Sequence, residues 1–170
     1  MIYDLPHTFV IALFLGLLAL AAINDVAEFK IPNRLCLAIA ALYPVHVLAS
    51  PQSVDWLGGL AVGGIALACG IVLFVLKVMG GGDIKLITVT ALWAGPGAIV
   101  DFIGFSALAG GGMSLIMLSP VRYSLAMVFD RNGDKDSRDA LLGSVLPYGV
   151  AIAIGGFVVG AHLLGNGHLV

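Results

Sequence analysis

The feature that most limits this chain is a succession of long apolar runs separated by short polar breaks. A helical membrane span needs about 20 apolar residues, and the candidate runs lie near 7–24, 34–49, 57–78, 84–94, 98–118 and 142–164. In lipid every backbone polar group must find its partner inside the protein, so runs of this kind become helices. Gly95-Pro96-Gly97 divides the fourth run from the fifth, because proline lacks a donor and glycine has little helical preference. The expected fold is therefore all-α: a polytopic membrane protein, residues 1–170 forming one domain, built as a bundle of six membrane-spanning helices. Composition agrees, at 60% hydrophobic, 11% charged and mean hydropathy +1.08, against roughly 25% charged in soluble domains. The first partner of such a chain is the lipid bilayer, and nothing in it suggests nucleic-acid binding. Ala19-Leu20-Ala21 has the form of a signal-cleavage site, but the residues before it carry Asp4 and no Lys or Arg, whereas a secretory signal opens with positive charge. Residues 7–24 are expected to stay as the first span.

Charge placement supplies an orientation. The eight basic residues, Lys30, Arg34, Lys77, Lys85, Arg122, Arg131, Lys135 and Arg138, all fall in or beside the first, third and fifth connections. By the positive-inside rule those connections face the cytoplasm and both termini lie outside.

Against this background Gly80-Gly81-Gly82-Asp83 stands out, since three glycines weaken a helix, admit close backbone approach and precede an acid that lipid does not tolerate unpaired. Asp25, at the end of the first run, is its natural partner, because the topology brings both carboxylates to the cytoplasmic side. The run 84–94 covers only about 17 Å of a ~30 Å core, which would sink the glycine-rich turn before span four below the inner surface, against protein or a water-filled cavity. Asp25 ends a helix, where the macrodipole disfavours the anion, and Asp83 begins one, where free N–H groups favour it. Unequal environments suit a dyad that shares a proton: one carboxylate draws a proton from water while the other donates to a carbonyl. Taken singly, Asp83 reads equally as a helix cap and Asp25 as an interfacial charge beside Lys30 and Arg34. An ion-coupled or proton-coupled transporter could hold the same pair, although its site would lie nearer the midplane between repeated halves.

The remaining features read as structure. Gly59-x-x-x-Gly63, Gly156-x-x-x-Gly160 and Gly110-Gly111-Gly112 are small-residue faces for packing within the bundle, a homodimer contact being the alternative. Cys36 and Cys69 lie singly in apolar runs and read as buried thiols. Asp130-x-Asn132-x-Asp134 lacks the Gly and closing Glu of a calcium loop, whose places are taken by Lys135 and Leu141. His7, His46, His162 and His168 show no i, i+4 pair and suggest no metal site, and Asp101 reads as a helix cap or a headgroup contact.

The glycine run and its acid resemble the Gly-x-Gly-Asp motif of intramembrane aspartic proteases, with Lys85 following as in prepilin peptidases. Asp25 with Ile31-Pro32-Asn33 resembles the Asp-x5-Ile-Pro-Asn segment around the first catalytic aspartate of that family, and Pro147-Tyr148-Gly149 resembles a third segment. The chain thus resembles the type IV prepilin peptidase family. Only nine residues run from Asp25 to Asn33, where the long bifunctional members carry an insertion with paired Cys-x-x-Cys motifs. The methyltransferase half therefore looks absent, as in the short peptidases of Flp/Tad pili and archaeal preflagellins. The resemblance implies a bacterial inner-membrane aspartic endopeptidase that cleaves the short basic leader of a prepilin or pseudopilin at the cytoplasmic face. Asp25 and Asp83 would be catalytic, without metal or other cofactor. Gly80 and Gly82 would admit an extended substrate beside Asp83, and Lys85 would tune Asp83 or bind an acidic side chain. Pro32 and Asn33 would start the second span, Asn33 as its cap, and so position Asp25. A non-catalytic scaffold for pilus assembly is a further alternative.

Overall fold

The computed structural model describes residues 5–119 and 146–166. They form five helices: α1 (Leu5–Glu28), α2 (Asn33–Ala49), α3 (Trp56–Val75), α4 (Gly81–Leu118) and α5 (Tyr148–Asn166). The described chain is all-helical, and α1, α3, α4 and α5 are long and apolar enough to cross a membrane, whereas α2 has 17 residues. The polar connection from Ser119 to Leu141, with its rejected calcium loop and four basic residues, lies beyond Ser119 outside the described residues, as does His168.

Six spans are expected from the sequence; the described residues give four helices of spanning length and the shorter α2. Runs 84–94 and 98–118 form two helical legs within α4 that meet at a kink, where Gly95 takes the non-helical φ 54° and ψ −169°. Only glycine takes that conformation without steric cost. The two legs fold back on each other: Ile84, Ile87 and Ala91 of the first share a groove with Ile99, Phe102 and Ile103 of the second. The first leg runs antiparallel to α3, Leu92 lying on Gly63 and Ile84 on Gly70. The second runs antiparallel to α5, with Gly97 beside His162 and Gly110 beside Ala151.

Close helix contact accounts for the spaced glycines. Gly59 and Gly63 are buried against Leu92 of α4, and Gly156 and Gly160 against Leu18 and Leu15 of α1. Both motifs pack within the chain, as small residues do where lipid supplies no hydrophobic drive between helices. The center is filled by Phe14, Leu18, Ile39, Leu86, Phe102 and Val159, all fully buried, and Trp93 ties α4 to α2 by donating its indole N–H to the Ile39 carbonyl at 3.0 Å.

Three local expectations change. Cys36 is buried, but Cys69 is exposed on the groove between α3 and α4. Asp101 lies within the second leg of α4, exposed and past its first turn, so it does not cap a helix. The glycine run is not a turn: Gly81 and Gly82 are helical, and only Gly80, at φ −70° and ψ 147°, stands before α4.

Candidate active site

The buried face of α1 carries His7, Val10, Ile11, Phe14, Leu18, Ala21 and Asp25. These positions recur every three or four residues, so Asp25 stands in register with the core-facing stripe. It is 5% exposed. Its Oδ2 accepts the backbone N–H of Gly149 at 2.6 Å, from the first turn of α5. A Cβ at Gly149 would stand 2.8 Å from that oxygen. The dipole argument from sequence considered only Asp25's own helix end, whereas the fold lays a helix N-terminus, of opposite sign, against the same carboxylate.

Helix α1 ends at Glu28, and Phe29, at φ 51°, returns its N–H to the Asp25 carbonyl at 3.0 Å. The chain then crosses Lys30 and Ile31 to Pro32. Pro32 itself occupies the N-cap position of α2, with φ −62° and ψ 132°, and Asn33 is the first helical residue. Asn33 therefore does not cap the helix; its side chain instead accepts from Lys85 Nζ at 2.9 Å. That bond braces the start of α2 against the start of α4, and Lys85 lines a neighbouring groove with Cys36 and Thr88.

Asp83 sits in the first turn of α4. Its carboxylate lies over the missing side chain of Gly80, where a Cβ would stand 3.1 Å from Oδ2. At Gly82 a Cβ would come within 3.3 Å of Ile31 Cβ, so the space left by this glycine is taken by the chain's own α1–α2 connection.

Asp25 and Asp83 line one cleft of about 640 Å³, together with Glu28, Phe29, Lys30, Ile31, Pro32, Asn33, Gly80, Gly81, Gly82 and Leu146. They are close enough for the charge of Asp25 to act on Asp83. Sequence reasoning passed over Glu28 and Gly149 as site residues. Pro147-Tyr148-Gly149 carried a signal as a motif, but nothing local marks its N–H as the partner of an acid on α1.

The far end of the bundle holds a second polar cluster. His7, His46 and His162, expected to be scattered, line one cavity of about 190 Å³ with Tyr43, Asp55 and Trp93. The His7 and His46 rings stack at 5.2 Å, and His46 Nδ1 is buried without a hydrogen-bond partner. Among the described residues no group of three or more His, Cys, Asp or Glu side chains is placed to hold a metal ion.

Chemically, the carboxylate cleft offers two acids in mutual electrostatic contact, one anchored from behind by a backbone donor, with room beside them for an extended peptide and water. Such a pair can divide the roles of base and acid in hydrolysis. No curated protein and no solved structure matches the chain. Residues 12–115, more than half of the chain and the part that carries both acids, match the model of the type IV leader peptidase family, and the chain belongs to that family.

Proposed function

We propose that this protein is an aspartic endopeptidase, without methyltransferase activity, that removes the short basic leader of a prepilin-like substrate of the Flp/Tad type. The family supports leader-peptidase activity on prepilin-like proteins in general. The observation that carries the finer reading is the shared cleft of Asp25 and Asp83. In the mechanism, one carboxylate takes a proton from water as the oxygen attacks the scissile carbonyl carbon. The other, protonated, donates to the carbonyl oxygen, and a tetrahedral diol forms. Collapse returns a proton to the second acid, breaks the C–N bond and passes the first acid's proton to the departing amine. The pair titrates as a unit, so neither role is fixed to one residue.

The cleft lies at one end of the bundle, as cleavage beside a membrane surface requires. The charge rule supports a site at the cytoplasmic face of the bacterial inner membrane, with both termini outside. Gly80 leaves space beside Asp83 for the substrate backbone. Pro32, Asn33, Gly82 and Lys85 hold the α1–α2 connection against α4 and thereby set the distance between the acids. Glu28, exposed on the cleft, offers a carboxylate to the basic leader. A homodimer would use small residues left open on the surface, such as Gly111 and Gly112.

The test is co-expression with a small prepilin carrying a short basic leader, followed by mass measurement of its N-terminus. Cleavage is expected with the wild type, unaffected by chelators. An uncut leader, or pilus assembly supported equally by Asp25→Asn and Asp83→Asn, would favour the scaffold reading.

A further inference from the structure

Asp25 is held from behind by a helix that contributes no acid of its own to the cleft. The first N–H groups of a helix have no intrahelical acceptor, and the one at Gly149 is spent on Asp25 Oδ2 at 2.6 Å. The same residue lacks the side chain that would obstruct this approach, since a Cβ there would stand 2.8 Å from Oδ2, 2.9 Å from Asp25 Cβ and 3.0 Å from Asp25 Cγ. One oxygen of Asp25 is thereby occupied on the α5 side, while the residue also lines the cleft it shares with Asp83.

We propose that Gly149 is a positioning residue for the reaction. Its N–H and its missing side chain together fix which Asp25 oxygen faces the cleft, so the docked N-terminus of α5 is part of a competent site. The proposal rests on the aspartic mechanism above. It does not follow from helix packing alone, because α5 meets α1 again through Gly156, where a Cβ would stand 2.5 Å from Leu18 Cδ1 and 3.1 Å from Thr90 Cγ2, far from either acid.

That second glycine supplies the control. With full-length protein in lipid-detergent micelles and a prepilin-like substrate, Gly149→Ala should lower kcat by at least about 30-fold with KM within about twofold, the pattern of an interaction that matters to the transition state. Gly156→Ala should leave kcat per folded molecule within about twofold while lowering the melting temperature. The Gly149 amide proton, assigned by sequential backbone correlations in isotope-labelled wild type, should resonate far downfield and move upfield in Asp25→Ala. Equal kcat losses in the two glycine variants, or an amide resonance indifferent to Asp25→Ala, would overturn the proposal. If Gly149→Ala does not accumulate, the resonance decides alone. A wild type that cuts no leader, or an Asp25→Asn variant that still cuts, would instead strike at the aspartic mechanism and leave the resonance to judge the anchor.

Discussion

The two ends of the α1 stripe bury polar groups in very different company. At the His7 end, His46 stacks on Trp93 at 4.9 Å and Phe14 on Trp93 at 4.2 Å, around a cavity of about 190 Å³. At the Asp25 end the stripe opens into a cleft of about 640 Å³ floored by glycines. The backbone differs too. Among the described residues, the left-handed conformation at the imidazole end falls on Gly95, whereas beside the carboxylates it falls on Phe29 and Lys77, which have side chains. Left-handed geometry costs such residues about 1–2 kcal/mol. Buried polarity alone therefore does not distinguish the two ends. Space beside the polar groups and strain in the backbone that frames them do.

The sharpest way to break this contrast is to neutralise each end in turn. Asp25→Asn and Asp83→Asn should each lower leader cleavage by at least about 10³-fold, roughly 4 kcal/mol of transition-state stabilisation, while His46→Gln should keep kcat within about threefold. Mass spectrometry of the substrate N-terminus measures all three. Comparable losses from His46→Gln and Asp25→Asn would erase the distinction between the ends.

A second comparison separates packing from chemistry. At Gly59, near the imidazole end, a Cβ would stand 2.9 Å from the Leu92 carbonyl oxygen and collide with the Tyr43 hydroxyl. Backbone cannot swing aside as a side chain can, so Gly59→Ala should destabilise by about 1–3 kcal/mol. Thermal unfolding in micelles would show it, with cleavage per folded molecule unchanged. A neutral Gly59→Ala would mean that α3 and α4 separate more easily than their contact suggests.

At the carboxylate end a smaller effect is expected from Glu28→Gln. An exposed ion pair is worth up to about 1 kcal/mol, so KM for a basic leader should rise by up to about fivefold with kcat unchanged. The rise should shrink as salt screens the pair. A KM that ignores both the substitution and the salt would remove Glu28 from leader recognition.

How much of this was legible beforehand depends on the range of the interaction. The all-helical character and the meeting of Asp25 with Asp83 follow from hydropathy and charge placement, which are properties of long segments. The break at Gly95 was legible from Gly95-Pro96-Gly97, but not that the two legs beside it continue through a kink as α4. Which face of a helix turns inward was also hidden. Phe9 and Leu13 are exposed while Phe14 and Leu18 are fully buried, since lipid accepts the same side chains as the core. Cys69 was misplaced for that reason. The three histidines come from three helices, so no local spacing announces their cavity. The Gly149 anchor spans 124 residues, and glycine offers no side chain by which a partner could be guessed.

The smallest effect tests the strain. Helix α3 closes with Lys77 N–H on the Phe74 carbonyl and Val78 N–H on the Leu73 carbonyl, both at 2.9 Å. This is the arrangement in which the residue at Lys77 is usually glycine. Lys77 takes φ 57° instead. Lys77→Gly would relieve about 1–2 kcal/mol of left-handed strain and give back about 0.5–1 kcal/mol in the greater freedom of the unfolded chain. The net gain should lie between about 0 and 1.5 kcal/mol, visible as at most a small rise in melting temperature. Because Lys77 borders the turn that delivers Gly80 and Asp83, the comparison of the two ends makes a further demand: stability should rise without a gain in cleavage. A variant that is both more stable and faster would show that strain at this end is tolerated and contributes nothing to the reaction.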